Sequence, residues 1–295
     1  MEKNWIFLIF FIISLCFKPI SIYAFTDSRK AYEKTGKVIW EVNTKEKIVA
    51  LTFDDGPHPV FTPQILDILA KYNAKATFFV AGNKVKRFPT ILRRQVKEGH
   101  EIANHTYNHI YDKNITAAKL TSELNKTDEI IKQITGYKPT LYRPVGGLHN
   151  DLIINTAIQN GKLVILWSWH QDPHDWRSPA ASKISGHIVK GVQPGNIILL
   201  HDWNGSEFSE ISQTVEALES ILIHFKNNGY TCVNDHNFNT LYFYIILIHI
   251  HFINMSSHVL EPLALSSYSF LVQVPIYFQM NILILNLTFQ RFIGS

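Results

Sequence analysis

Short apolar runs alternate with amphipathic segments from about residue 47 to residue 234. Runs of four to six residues bounded by turn-forming residues are typical of buried strands. They predict seven strands, over residues 48–53, 76–80, 101–104, 140–143, 164–169, 196–200 and 230–233. Between them, apolar residues recur three and four positions apart, as in residues 65–69, which predicts helices.

Strands that alternate with helices predict parallel βαβ units, and therefore an α/β fold that is either a doubly wound sheet or a barrel. In both folds the ligand-binding loops follow the carboxyl ends of the strands. We therefore expect functional polar residues directly after several different strands.

Residues 1–24 have the pattern of a secretory signal peptide. Lys3 supplies the positive start, residues 5–17 are apolar, and Ile22-Tyr23-Ala24 fits a cleavage site. This pattern predicts a secreted or cell-wall-associated protein. The alternative is an uncleaved anchor, although the apolar stretch is short for a membrane span. Contact with a membrane is expected only through this segment.

The pattern divides the rest of the chain into three parts. We interpret residues 25–46 as a polar linker and residues 47–235 as the folded domain. Residues 236–295 contain only Glu261 and Arg291 as charged residues. This abrupt change in composition favours the interpretation that residues 236–295 are a translated frameshift or read-through. A membrane-associating tail is the alternative, and we assign no function to this part.

Composition adds little to this division. Charged residues make up 18% of the chain, and the two apolar ends account for the low value. The formal net charge is +4, and removal of residues 1–24 would take away a net +1 and leave +3. No motif suggests a nucleic-acid partner. Cys232 would be the sole cysteine after cleavage, so we expect no intramolecular disulfide. We also expect the protein to be a monomer.

Two adjacent carboxylates, Asp54 and Asp55, follow the first predicted strand in Thr-Phe-Asp-Asp-Gly-Pro. Because side chains alternate along a strand, one acid can bind a metal ion while the other stays free as a base. Asp-Asp-Gly-Pro is also common in ordinary turns, so this motif alone does not decide between the two interpretations.

Two histidines follow the third predicted strand. His105 and His109 are four residues apart, and one helical turn would place both imidazoles on one face. With Asp55 they would form a three-ligand site with open positions, as in catalytic zinc centres. Cobalt or another first-row ion suits the same donors. The chain has 14 histidines, so histidine pairs with this spacing are also expected by chance.

Further polar groups follow three other strands. Arg143 can orient a carboxylate or form a surface ion pair, and the glycine pair 146–147 allows a ligand to approach the backbone. Asp175 can accept a proton from an imidazole, and Trp176 can offer a wall for a sugar or pack in the core. His201 ends an apolar strand. The gathering of such groups at five strand ends favours an active site.

In this order, Thr-Phe-Asp-Asp-Gly-Pro, His-Thr-x-x-His, Arg-Pro, Asp-x-x-Asp-Trp and Leu-x-His closely resemble the motifs of the polysaccharide deacetylases of carbohydrate esterase family 4, the NodB homology domain. The resemblance covers roughly residues 45–234. It implies a distorted (β/α) barrel of about seven parallel strands. It also implies metal-dependent removal of N-acetyl groups from glycans that contain N-acetylglucosamine, such as peptidoglycan or chitin-like oligosaccharides, with release of acetate.

The resemblance also implies a role for each motif residue. By this resemblance the base is Asp54, the residue that positions it is Arg143, and the metal ligands are Asp55, His105 and His109. The general acid is His201, and the acid that tunes this histidine is Asp175. The wall of the site is Trp176, and the pocket for the acetyl methyl group includes Leu199. In the implied reaction Asp54 takes a proton from the attacking water, and His201 protonates the departing amine.

The arginine motif departs from the family pattern. The family usually has Arg-Pro-Pro-Tyr-Gly, whereas Val145 and Gly146 replace the second proline and the tyrosine here. The N–H of Gly146 can still contribute to an oxyanion hole, but the aromatic contribution to the sugar subsite is in question. Three rival functions remain: O-deacetylation of acetylated xylan, glycan binding without catalysis, and a membrane-anchored role.

Overall fold

Eight strands surrounded by helices form the part of the chain that the computed structural model describes, residues 28–234. The strands are β1 (Val38–Ile39), β2 (Ile48–Asp54), β3 (Thr77–Val80), β4 (Glu101–Asn104), β5 (Leu141–Tyr142), β6 (Leu163–Ile165), β7 (Ile197–His201) and β8 (Thr231–Val233). The helices are α1 (Ser28–Glu33), α2 (Phe61–Lys71), α3 (Gly82–Arg87), α4 (Pro89–Lys97), α5 (Ala117–Thr135), α6 (Asp151–Gln159), α7 (Ala181–Gly191) and α8 (Gln213–Asn227).

The strands pair in parallel in the order β1-β6-β5-β4-β3-β2-β7, and β8 pairs with the start of β2. Within residues 28–234 no ladder joins β1 to β7, so the barrel is not closed. Isolated hydrogen bonds span the opening between the two ends of the sheet. The N–H of Val42 donates to the carbonyl of Gly195 (2.9 Å), and the N–H of Ser168 donates to the carbonyl of Ile197 (3.0 Å). The prediction of a distorted α/β barrel is confirmed.

All seven predicted strands are present, and β1 is an additional one. Val38 pairs with Val164 and Ile39 with Ile165 of β6. The strand lies inside the segment interpreted as a linker. Two residues are too few to produce an alternating pattern, so it was missed. Residues 1–27 and 235–295, which include the predicted signal peptide and the atypical tail, lie outside the described residues.

The alternation of side chains along β2 separates two apolar layers. Val49, Leu51 and Phe53 join the core between the sheet and the helices. Ala50 packs inside the barrel, so Thr52 and Asp54 point to the interior as well. The period of two therefore puts a carboxylate inside the barrel at the carboxyl end of the strand.

None of the helices within residues 28–234 combines the length and the apolar character that a membrane span requires.

Candidate active site

Asp54 and Arg143 form a buried pair at the end of β2. Asp54 is 3% exposed and Arg143 is fully buried. Nη1 of Arg143 donates to Oδ1 of Asp54 and to Oγ1 of Thr52, both at 2.7 Å. Its other donors reach the carbonyls of Ile165 (3.1 Å) and Leu166 (2.9 Å). The guanidinium thus fixes one oxygen of Asp54 and leaves the other for chemistry.

Asp55 has a left-handed backbone conformation, with φ of 79°. A β-carbon is unfavourable there, so the backbone on both sides must be held in place. Nζ of Lys84 donates to the carbonyl of Asp55 (2.7 Å), and the N–H of Asp202 donates to that of Asp54 (3.2 Å). The turn directs Asp55 away from Asp54, so the two carboxylates occupy different places.

His105 and His109 both reach Asp55. Oδ1 of Asp55 lies 3.3 Å from Nε2 of His105 and 2.8 Å from Nε2 of His109. Burial alone would raise the pKa of Asp55, but hydrogen bonds from the two imidazoles hold that pKa well below its usual range. The three predicted ligands therefore lie together.

The helical turn predicted for these histidines is wrong. The residues from His105 to His109 form a loop, in which Thr106 (φ 68°) and His109 (φ 53°) are left-handed. The loop doubles back and brings the rings together, with centroids 5.2 Å apart. The spacing of four residues identified the pair, although not the backbone that joins them.

The donor set fits a divalent metal ion. One ligand atom from each of Asp55, His105 and His109 lies within 4.8 Å of the others. Nδ1 of His105 is 2.8 Å from the carbonyl of Arg143, an interaction that fixes the ring and leaves Nε2 to bind metal. One carboxylate and two imidazoles leave coordination positions open, as a catalytic metal requires.

Glu123 of α5 holds the histidine loop and was not foreseen. Its fully buried carboxylate accepts hydrogen bonds from the N–H groups of Tyr107 (3.1 Å) and Asn108 (2.7 Å) and from Nδ2 of Asn108 (2.9 Å). Burial would raise the pKa of Glu123, but the bonds from Asn108 and Lys119 lower it. The sequence carries no signal for this contact, because Glu123 resembles any acid on an amphipathic helix.

Replacement of Glu123 with Gln is expected to weaken metal binding about 10- to 100-fold, the usual cost of losing an outer partner of a metal ligand. The single oxygen of a neutral amide can keep the bonds from the two backbone N–H groups, but the NH2 group would oppose Nδ2 of Asn108, and the charge that strengthens all three bonds is lost. Competition with a chromophoric chelator measures the dissociation constant for Zn²⁺ or Co²⁺. Glu129→Gln, an exposed position on the same helix, is the matched control. Equal metal affinities in the two variants would contradict the role of Glu123.

Asp175 and His201 form a second pair at the same end of the sheet. Asp54 and His201 are register partners on β2 and β7. Nδ1 of His201 lies 2.7 Å from Oδ1 of Asp175, whose Oδ2 accepts from Oγ1 of Thr214 (2.7 Å) and the N–H of His201 (2.8 Å). Burial lowers the pKa of His201, but the carboxylate of Asp175 more than offsets this and raises it to about 10. The imidazole is therefore protonated at neutral pH.

Asp202, next to the general-acid candidate, supports the opposite side of the site. It is 1% exposed, and its Oδ2 accepts from Oγ1 of Thr62 (2.6 Å). A β-carbon on Gly56 would lie 2.1 Å from the same oxygen, so only glycine fits above it. Burial raises the pKa of Asp202 to about 7. Nothing in the sequence distinguishes Asp202 from an ordinary acid after a strand, so its supporting role was not foreseen.

The three predicted substrate contacts lie in different loops and strands. Leu199 is buried on β7, two residues before His201 and on the same face. Trp176 is half exposed beside Asp175, with the guanidinium of Arg177 4.6 Å from its ring centre. Gly146 lies in the turn after β5 with φ of 60°. Gly146 follows the carboxyl end of β5, Trp176 lies in the loop between β6 and α7, and Leu199 lies within β7, so their roles as substrate contacts stay predictions.

Comparison with known proteins shows the family of this chain. The sequence profile described as polysaccharide deacetylase matches residues 41–165. The peptidoglycan-N-acetylglucosamine deacetylase of Bacillus cereus is 46% identical over 205 residues, which are 70% of this chain and 94% of that protein. This chain belongs to the polysaccharide deacetylase family. The predicted family is thus confirmed.

Two solved structures of polysaccharide deacetylase relatives share the fold. A crystal structure of a peptidoglycan N-acetylglucosamine deacetylase bound to a hydroxamate-type benzamide has a TM-score of 0.65 and 32% identity, and covers 70% of this chain and 94% of that one. A family 4 acetyl xylan esterase from Clostridium thermocellum, in complex with a cobalt ion, has a TM-score of 0.59 and 36% identity, with 66% and 91% covered. The family is metal-dependent, which matches the donor set above.

Proposed function

We propose that this chain hydrolyses the N-acetyl groups of a glycan that contains N-acetylglucosamine, either peptidoglycan or a chitin-like oligosaccharide, and releases acetate. One observation carries the proposal: Asp54, held by Arg143, lies beside the Asp55–His105–His109 group at the same strand ends as the Asp175–His201 pair. A base, a set of metal ligands and a protonated imidazole are the groups that metal-assisted amide hydrolysis uses.

Zinc is the proposed ion, and cobalt is the alternative. An oxygen and two imidazole nitrogens with open positions are the donors of catalytic zinc sites, and cobalt suits the same set. When bound, such an ion supplies Lewis-acid polarisation of the acetyl carbonyl and lowers the pKa of water. Asp55, His105 and His109 would hold it.

The chain's own residues account for the movement of protons. Oδ1 of Asp54 is occupied by Arg143, so Oδ2 takes the proton of the attacking water. As the carbon–nitrogen bond breaks, the amine needs a proton, since an amide anion is too basic to leave unaided. His201 donates it from Nε2, because Nδ1 is engaged by Asp175. Acetate and a free amine are the products.

A panel of acetylated glycans tests the proposal. The purified chain is assayed for acetate release from chitopentaose, peptidoglycan and acetylated xylan, before and after chelation and after zinc or cobalt is restored. We expect release from at least one N-acetylated glycan, its loss with chelator and its recovery with metal. No release from either N-acetylated substrate at full metal occupancy would overturn the proposal.

O-deacetylation of xylan is the second candidate, because the Clostridium thermocellum relative is named an acetyl xylan esterase. An alkoxide leaves more readily than an amine, so ester hydrolysis depends less on the general acid. Release from acetylated xylan alone would favour this function.

We also propose that the protein acts outside the cell as a monomer, with the pattern of residues 1–24 as the support for export. Mass spectrometry of the secreted chain would identify its first residue. Size-exclusion chromatography with light scattering would give its oligomeric state.

Replacement of Asp175 with Asn is expected to shift the alkaline limb of the pH–kcat profile to lower pH. His201 must be protonated to act, and the charge of Asp175 raises its pKa to about 10. Loss of that charge lowers the pKa, so the acid form disappears at lower pH. In the wild type, the Asp175–His201 pair also stabilises the folded state. This contribution is complete below the pKa of an unfolded histidine, about 6.5, and is lost as the pH rises through the folded-state pKa of His201.

A pH series of initial rates on chitopentaose measures the limb. Asp172→Asn is the matched control, because Asp172 lies in the same loop and its Oδ1 is 3.1 Å from Nδ1 of another imidazole, that of His174. An unshifted alkaline limb in Asp175→Asn, or an equal shift in both variants, would refute this role.

A further inference from the structure

An exposed tyrosine lies in the loop that follows the metal-ligand candidates. Tyr111 is 69% exposed and comes two residues after His109. Single exposed aromatic residues are common on protein surfaces, so exposure alone indicates nothing. The surroundings of this ring distinguish it.

The ring of Tyr111 packs directly on the backbone of Gly146. A β-carbon on Gly146 would lie 2.5 Å from Cε2 and 2.9 Å from Cδ2 of Tyr111. The next residue repeats the arrangement, since a β-carbon on Gly147 would lie 2.5 Å from Cη2 of Trp167. Both glycines are left-handed, with φ of 60° and 67°. We call these four residues, Tyr111, Gly146, Gly147 and Trp167, the diglycine surface.

The loop fixes the position of Tyr111. The N–H of Ile110 donates to Oγ1 of Thr106 (3.2 Å), and Ile115 is buried in the core. Nδ2 of Asn150 donates to the carbonyl of Lys113 (3.2 Å). These anchors hold the backbone on both sides of Tyr111, and the ring rests on Gly146, so less ordering is needed when a ligand binds, which favours affinity.

The diglycine surface is close in sequence to the catalytic groups. Gly146 is three residues after Arg143, whose guanidinium holds Asp54, and Tyr111 follows the ligand candidate His109. A flat, exposed aromatic ring with a polar tip suits a sugar, which presents an apolar C–H face edged by hydroxyls.

We propose that Tyr111, supported on Gly146, is a sugar-binding residue that stacks against a hexopyranose ring of the acetylated glycan. This inference rests on the proposed function and names the residue that supplies an aromatic contact in the arginine loop, where position 146 has no side chain. The small space left by glycine is what allows Tyr111 to occupy this place.

Equilibrium binding of chitopentaose tests the subsite without catalysis. Asp54→Asn serves as the inactive parent, and Tyr111→Ala or Tyr111→Phe is added to it. The alanine variant is expected to bind about five- to tenfold more weakly, and the phenylalanine variant to stay within about twofold because it keeps the ring. In the active chain, Tyr111→Ala should raise KM by a larger factor than it lowers kcat.

Phe208→Ala is the control, since Phe208 is an 85% exposed aromatic residue in a different loop. Unchanged binding in Tyr111→Ala, or an equal loss in Phe208→Ala, would overturn the subsite even if the wild type releases acetate. A selective loss of binding in Tyr111→Ala would support the subsite even if the wild type released none, so its failure and that of the proposed function are distinguishable. Tyr111 is exposed, and an unchanged Tm confirms that the variant is folded.

Discussion

Asp54→Asn is expected to lower acetate release by about 10²- to 10⁴-fold, the usual contribution of a positioned general base. The amide cannot accept the proton of the attacking water at neutral pH. It can still accept the hydrogen bond from Nη1 of Arg143, which is 2.7 Å away in the wild type. The substitution therefore removes the base while it keeps the geometry. Initial rates on chitopentaose measure the loss.

Metal content and Tm separate this result from damage to the site. Loss of one charge of a buried ion pair typically costs about 3–5 kcal/mol, so a lower Tm is expected for any neutral residue at position 54. Asn limits this cost compared with Ala, because its amide oxygen still accepts a hydrogen bond from the buried Arg143. Asp54 is not among the three grouped ligands, so metal content should stay near one ion per chain by mass spectrometry. Turnover near that of the wild type would show that another group is the base.

His105→Ala is expected to remove both metal and activity. Nε2 of His105 lies 3.3 Å from Oδ1 of Asp55, and its ring is 1% exposed. Loss of a hydrogen-bond partner of a metal ligand typically weakens metal binding about 10- to 100-fold. Loss of one of the three ligands themselves should weaken it further. The activity should fall with the occupancy, because the remaining pair cannot fix the ion. Dissociation constants for Zn²⁺ and Co²⁺ give the size of the effect.

His100→Ala is the matched control for His105→Ala. His100 is also a buried imidazole, 5% exposed, but it precedes β4 and donates nothing to the grouped ligands. Its removal leaves a cavity of similar size without removing a donor. If His105→Ala kept its metal as well as His100→Ala does, the assignment of the ligand would be wrong.

The sequence predicted the parts of the fold that depend on local periodicity. The alternation in β2 put Thr52 and Asp54 on the inner face, and the parallel arrangement put the functional groups of five loops at one end. The two residues of β1 were missed because their strand is defined by pairing with β6 rather than by a pattern of its own.

The supporting contacts could not be predicted because they join residues that are distant in sequence. Glu123 reaches Tyr107 and Asn108 from a separate helix, and Asp202 reaches Thr62 across 140 residues. The predicted conformation of the histidine loop was also wrong, because a spacing of four residues is compatible with a helical turn or with a loop that doubles back. Spacing identifies which side chains meet, whereas tertiary contacts decide how the backbone arranges them.

The bonds of Arg143 tie the reactive carboxylate to the barrel as a whole. From the position directly after β5, this one side chain reaches β2 through Thr52 and Asp54. It also reaches the end of β6 through Ile165 and Leu166. The distance between these strands thereby sets the placement of Asp54. A core substitution that shifts β5 or β6 by a fraction of an ångström should therefore lower turnover before it lowers the melting temperature, so catalysis is the more sensitive gauge of packing in this part of the molecule.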